Sequence, residues 1–410
     1  MKKVNVKSLF AILFIVFLFF NLFVYIKQSV SIWTSVRDSV IKVQKDDGNI
    51  WKVMRQVITS SESNFQKKVW KREKFVGLNG LFLRVIGKDV VEDVDPTYDI
   101  YKMDNGQLTF TYPAMDVDYA VESMEQLQQY CKSKNVKLLY FQIPYKVNKY
   151  KNELPDGYLD GTNLSADSFL EQIEQKGIDY VDYRDIIHGQ GIEYSDLFFD
   201  GDHHWTEETA FEAYKYLMNY FQETYDYPIH EEYLELANYN VQTYPDSFLG
   251  SQTARVKELY ADTIDDFTVI KPAFDTSYIH EIYNAQGQLE SKKTKEGTFE
   301  KAVMSRERLK NMESAARNRD SVYLGHNPQV DVLTNKQEKE GNILILEDSF
   351  GRPFSAFTSL HFHKTHVMDL RYYEQSLIDY LEAHEEIEYV VVAYAATCFK
   401  ESTYMDMFTF

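Results

Sequence analysis

Three features of the sequence predict an α/β domain behind a single N-terminal apolar segment. They are short apolar runs bounded by breakers, helical patterns that alternate with those runs, and an unbroken hydrophobic stretch near the start. Val136–Ile143 is apolar and stopped by Pro144, and Asn342–Leu346 and Tyr389–Ala393 are runs of the same kind. Strands buried on both faces of a sheet read this way. Helical patterns fall at about 116–134, Asp167–Gln175, Phe350–Leu360 and Glu374–Glu385, with further strand patterns at Leu108–Tyr112, Ile178–Val181 and His366–Met368. Helix alternating with strand predicts an α/β sheet.

At 410 residues, with 44% hydrophobic and 15% aromatic content, the chain can bury a sizeable core. Its Tyr and Phe suit cores first and sugar-binding clefts second. A net charge of −19 argues against nucleic acid, whose phosphates are bound by clustered Lys and Arg. Two cysteines, Cys131 and Cys398, are no disulfide framework. They read as unrelated buried thiols, with one bridge open to an exported domain.

The apolar run extends from Leu9 to Ile26, broken only by Asn21, and follows Lys2, Lys3 and Lys7. At about 1.5 Å per residue it spans roughly 27 Å, close to a hydrocarbon core. Ser29-Val30-Ser31 is a poor cleavage site. The expectation is an uncleaved anchor over residues 1–27 with the rest exported, since basic flanks stay in the cytoplasm. Residues 28–75 keep helical spacing at Ile32, Val36, Val40 and Val43, with Trp51, Val53, Met54 and Val57 beyond a break near Asp46-Asp47-Gly48. They read as a helical stalk, leaving 76–410 as the folded domain. The Lys-, Glu-, Arg- and Ser-rich stretch 285–320 reads as a solvated loop plus helix.

Two constellations carry chemistry. In Phe198-Phe-Asp-Gly-Asp202-His203-His204-Trp205-Thr206, Thr206 suits a helix N-cap, with Glu207 and Glu208 at the positive end of the helix dipole. In extended chain before that helix, Asp202 and His204 would face together with His203 opposite. A carboxylate beside an imidazole makes a general base. Asp200, Asp202, His203 and His204 equally suit a divalent metal, or plain turn and capping roles. The second constellation is Ile345-Leu-Glu-Asp-Ser349-Phe-Gly-Arg-Pro353. There a serine follows a buried strand and precedes a helix, where catalytic groups gather and N–H groups are unpaired. Asp348 or Ser349 serving only as N-cap is the competing reading. Together the two supply a nucleophile, a base and an orienter.

Asp202-His-His-Trp205 resembles the signature of the bacterial DHHW protein family, which is similar to the SGNH-type O-acetyltransferases that modify alginate. Those carry an Asp-x-His motif ahead of the nucleophilic serine, the order found here. Asn105-Gly-Gln-Leu-Thr-Phe110, Ile143-Pro-Tyr-Lys146, Phe248-Leu-Gly-Ser-Gln252, Gly325-His-Asn-Pro328 and Asp369-Leu-Arg-Tyr-Tyr373 also look familiar, so the resemblance spans roughly residues 75–395. It implies a flavodoxin-like, three-layer SGNH-type domain, with Ser349 as nucleophile, His204 as base and Asp202 as its partner. Gly250 or Asn327 would take oxyanion or substrate-contact places. Glu347-Asp348-Ser349 departs from the usual Gly-Asp-Ser. The implied activity is O-acyl, above all O-acetyl, transfer to a cell-surface glycan, or ester hydrolysis, with neither metal nor cofactor. Transfer outside the cytoplasm implies a membrane partner that exports acyl groups. A catalytically inactive glycan-binding or assembly protein and a metal-dependent phosphoesterase are the alternatives.

Overall fold

A computed structural model describes residues 6–27, 33–34, 36–38, 40–41, 50–67, 71–93, 95–289, 293–400 and 404–410. The chain forms two compact units, Met1–Phe82 and Leu83–Phe410. The first contains the helices Val6–Lys27 and Ile50–Lys67. On Val6–Lys27 the side chains of Ile12, Leu13, Phe14, Phe19 and Phe23 are exposed. Among the described residues no helix is long and apolar enough to cross a membrane. The transmembrane anchor expected over residues 1–27 is therefore not confirmed, and the side chains of residues 6–10 and Tyr25 lie outside the described ones. Within the expected stalk, Trp51 to Val57 fall on Ile50–Lys67. Ile32, Val43 and the break at 46–48 lie outside the described residues.

The second unit is built on an eight-stranded mixed sheet. Its strands are β1 (Lys137–Ile143), β2 (Tyr180–Asp182), β3 (Tyr278–Tyr283), β4 (Lys295–Gly297), β5 (Val330–Asn335), β6 (Asn342–Glu347), β7 (Lys364–Met368) and β8 (Tyr389–Ala395). They lie in the order β2-β1-β8-β6-β7-β5-β3-β4. The first five in that order are parallel, with β6 between β8 and β7. Strands β5, β3 and β4 add antiparallel neighbours. Ile343–Leu346 and Val390–Ala395 are fully buried, which is why these two runs were readable as central strands.

Helices cover the sheet with the faces their spacing dictates. Asp118–Ser133 buries Ala120, Val121, Met124, Leu127 and Cys131, at intervals of one, three, three and four. Glu207–Tyr225 buries Ala210, Phe211, Tyr214, Leu217, Met218 and Phe221 and packs on Gly351–Thr358. Cys131 and Cys398 are both buried and free. The strand expected at Leu108–Tyr112 is only Leu108–Thr109, in a small three-stranded antiparallel sheet. Tyr239–Phe248 and Asp265–Pro272 pair as a two-stranded sheet of their own, with Phe248, Phe267 and Ile270 buried in the main core.

Stretch 285–320 differs from the solvated loop and helix its composition suggests. It contains β4 and the short helix Phe299–Ala302, and its second half wraps a buried guanidinium. Arg319 is 3% exposed and donates to the carbonyls of Ser247, Arg308, Lys310, Asn311 and Ser314 at 2.7–3.2 Å. A flat guanidinium with five N–H donors can organise such a ring of carbonyls without regular structure. Arg319→Met should therefore cost about 2–4 kcal/mol by denaturant unfolding. It should also make trypsin cleave the loop at Arg306, Arg308 and Arg317 faster than in the parent protein.

Candidate active site

The loop Asp200–His204 is shaped by its own side chains and by a belt of buried partners. Phe198 and Trp205 bridge its base, and Thr206 caps the next helix by accepting from Thr209 N at 3.2 Å. Asp202 Oδ1 accepts the N–H of His204 at 3.0 Å, a side-chain turn that bends the backbone. The strict alternation of extended chain is thereby lost. His203, expected opposite His204, lies beside it with ring centroids 4.0 Å apart, and its Nδ1 is 3.1 Å from Ser251 Oγ.

The serine is presented at an elbow. Strand β6 ends at Glu347, and the Asp348 carboxylate accepts Phe350 N at 2.9 Å and Ala395 N at 3.1 Å. These bonds fix the chain between β6 and the helix Gly351–Thr358, leaving Ser349 at the carboxyl edge of the parallel strands. Ser349 Oγ lies 2.7 Å from His204 Nε2, and His204 Nδ1 lies 2.5 Å from Asp202 Oδ1. With Nδ1–H donated to the carboxylate, the lone pair sits on Nε2 facing the hydroxyl. Asp202 Oδ2 takes the N–H of Ser251 at 2.6 Å. Burial pushes this carboxyl up, but the nearby His203 and His204 and the hydrogen bonds from His204 and Ser251 hold it well below the usual carboxylate range. It is therefore an anion that can stabilise an imidazolium.

Three of the familiar stretches turn out to be supports for this loop. Lys146, 1% exposed, donates to the carbonyls of Leu108, Asp200 and Asp202 at 2.7, 3.0 and 2.6 Å. Burial lowers its ammonium to about 8, opposed by Asp265, Asp202 and Asp200. It thus stays protonated at neutral pH, with all three protons in use. Asp265 accepts the N–H groups of Asp200 and Gly201 at 2.6 and 2.8 Å. Gln107 binds Asp200 Oδ1 at 3.0 Å, and Gln252 N and Thr253 N both bind Gly201 O at 3.0 Å. Gly250, at φ +70°, must lack a side chain: a Cβ would sit 2.3 Å from Gly201 O and 2.8 Å from Asp202 Cβ. So Gly250 packs against the loop, while Asn327 lines the cavity, as do Ser349 and His204.

Glu347, where a glycine is usual, is fully buried and takes a hydrogen bond from Ser355 Oγ. Burial drives its carboxyl far above the usual range, so it is neutral. Gly351 makes room for it, since a Cβ there would fall 2.5 Å from Glu347 Cβ. The departure in sequence is absorbed by packing behind the elbow.

The cavity measures about 490 Å³ and includes Arg308, Arg317, Asp320 and Arg352 in its lining. None of these was picked out from the sequence. Arg352 Nε donates to Ser349 O at 3.1 Å and its Nη2 to Asp320, whose carboxylate is 4.0 Å from His204 Nδ1. An arginine three residues past the serine was a usable signal; Asp320 offered none. Of the candidate metal ligands, Asp202, His203 and His204 bring one ligand atom each within 4.8 Å of the others. Asp200 turns to Gln107 and Thr263 instead, and both nitrogens of His204 are committed.

A serine, histidine and aspartate joined in this way at the edge of a parallel sheet define a serine-hydrolase-like centre on an SGNH-type α/β domain. Residues 113–249 match the family model of the SGNH hydrolase-like domain of the acetyltransferase AlgX. Among solved structures, a DHHW family protein from Eubacterium siraeum is similar at 18% identity and TM-score 0.60, over 78% of this chain and 96% of that one. Bacillus cereus PatB1, in a structure with a sulfonyl adduct, is similar at 19% identity and TM-score 0.59, over 78% and 98%. No curated protein sequence matches. The resemblance read from Asp202-His-His-Trp205 is thus borne out.

Lys146→Met should leave three carbonyls without donors and Asp265 without its cation. It should cost about 3 kcal/mol of stability. Any Ser349-dependent ester cleavage should fall at least about 100-fold, because a small displacement of Asp202 and His204 suffices. Lys151→Met, at a 65% exposed side chain, should change neither in parallel denaturation and rate measurements.

Proposed function

We propose that this protein is an O-acyltransferase, O-acetyl by preference, or an esterase, acting on an extracytoplasmic glycan through an acyl-Ser349 intermediate. The observation that carries the reading is the hydrogen-bonded chain Ser349–His204–Asp202. Ser349 Oγ attacks the acyl carbonyl carbon as its proton passes to His204 Nε2, and Asp202 stabilises the imidazolium. The tetrahedral adduct collapses by expelling the donor's oxygen, which takes the proton from His204. A sugar hydroxyl or water then gives its proton to His204 and attacks the acyl-serine, and Ser349 leaves with that proton. At the elbow Phe350 N and Gly351 N are taken by Asp348, which leaves Ser349 N, among the described residues, as the elbow donor suited to the oxyanion. The match to an acetyltransferase family model supports the acetyl group, and the polar lining supports a hydroxyl-rich acceptor. An aromatic cleft without ordered Ser–His contact would have favoured a glycan-binding relic. The 2.7 Å contact favours catalysis.

We place the domain outside the cytoplasm. What supports this is the exposed apolar face of Val6–Lys27 behind Lys2 and Lys3, together with the need for an acyl donor delivered by a membrane partner.

Aryl acetate hydrolysis by the purified protein should drop about 1,000-fold or more in Ser349→Ala and His204→Ala, and by a comparable factor in Asp202→Asn. A sulfonyl fluoride should label Ser349 by peptide mass spectrometry; equal rates in Ser349→Ala would end the acyl-serine proposal. For location, protease added to intact protoplasts should degrade residues 83–410 while sparing a cytoplasmic control. Protection until lysis would reverse the orientation.

A further inference from the structure

A second polar cluster lies away from Ser349, between strand β7 and the turn that leads into β8. His366 is 1% exposed on β7. Its Nδ1 is 2.6 Å from Tyr380 OH, and among the described residues its Nε2 has no partner. His384, the C-cap of the helix Leu377–Ala383, and Glu386 complete the group, and one ligand atom from each lies within 4.8 Å of the others. Their side chains are 33% and 38% exposed. Burial and the neighbouring His384 push the His366 imidazole down to about 3, so it is neutral. Burial keeps the Tyr380 phenol well above its usual range, so it remains a hydroxyl.

An orphaned ring nitrogen in a packed interior costs free energy. Here it has the form a metal requires: a neutral imidazole whose other nitrogen is held by a hydrogen-bonding group. We infer that His366, His384 and Glu386 form a binding site for a zinc-class divalent transition metal, with water as fourth ligand. Two imidazoles and one carboxylate suit zinc rather than calcium or magnesium, which prefer all-oxygen sets. Ligand atoms around tetrahedral zinc stand roughly 3–3.5 Å apart. Rotamer changes of the half-buried His384 and the exposed Glu386 would close the site onto the buried His366. The competing pair Lys364–Glu386, at 3.5 Å, is exposed and weak. The metal would pin the turn before β8 to β7, on the N-terminal side of the sheet rather than at the edge carrying Ser349.

The test is calorimetric titration of the full chain, purified without a histidine tag and stripped with chelator, with zinc chloride. One equivalent should bind and raise the Tm by about 5 °C at a hundredfold excess over Kd. His384→Gln, at a half-buried position, and Glu386→Gln, at an exposed one, should fold and lose this binding. His203→Gln, which disrupts the cluster beside Ser349, should keep it. Absence of binding, binding that survives His384→Gln and Glu386→Gln, or binding lost only in His203→Gln would overturn the inference.

Discussion

Everything at the site depends on the backbone of Asp200–His204, and that backbone is held by a buried lysine and by a half-buried carboxyl that burial pushes up to about 7. Lys146 supplies protons to the carbonyls of Asp200 and Asp202, and Asp265 accepts the N–H groups of Asp200 and Gly201. A loop outside regular structure has no ladder to satisfy these groups, and buried they must be paired. Charged partners make stronger hydrogen bonds than neutral ones, so the Lys146 ammonium anchors this short irregular segment. Asp202 can then spend one carboxylate oxygen on Ser251 N and the other on His204. The orientation of the base is thus inherited from a lysine that touches neither the base nor the nucleophile.

The same economy holds at the serine. A nucleophile must be exposed at an elbow yet not wander, and the Asp348 carboxylate stitches that elbow to the end of β8. Trp205 Nε1 donates to Phe350 O at 2.9 Å. That bond ties the histidine loop to the serine elbow, although 145 residues separate His204 from Ser349. Glu347 shows how a departure in sequence is tolerated. Its carboxyl turns away from the cavity, loses its charge on burial and occupies the space that Gly351 leaves.

The central strands were legible because burial on both faces demands apolar runs, as in Asn342–Glu347 and Tyr389–Ala395. The hairpin Tyr239–Phe248 was not, since most of its first strand is exposed and shows no clean alternation. Ser349, His204 and Asp202 were legible as a group through the resemblance carried by Asp202-His-His-Trp205, whereas residue types and order alone left capping and metal roles open. The position of His203 was not, because one side-chain-to-backbone bond from Asp202 overrides the extended geometry assumed for it. Stretch 305–320 misled for a different reason. Composition counts Arg319 and Asp320 as solvated charges, yet the first organises a ring of carbonyls and the second faces Arg352. A charged residue's burial is set by tertiary partners, and local sequence does not encode them.

On the proposed mechanism, transfer and hydrolysis share every step up to acyl-Ser349 and use the same nitrogen of His204 to activate the second nucleophile. The outcome then rests on which oxygen stands near Nε2 when the acyl group is in place. The cavity is polar and open enough to admit water, so exclusion of water alone cannot favour transfer. Positioning can: a hydroxyl held in line has an effective concentration on the order of 10⁵ M or more, far above that of bulk water. On that mechanism, specificity for transfer would lie in residues that grip the acceptor, and the donors lining the cavity include Arg308, Arg317, Asn318 and Asn327. Three of these come from the loop that Arg319 holds or adjoin it in sequence. The buried arginine thus fixes one wall of the cavity as Lys146 fixes the histidine loop, each holding an irregular segment by its carbonyls.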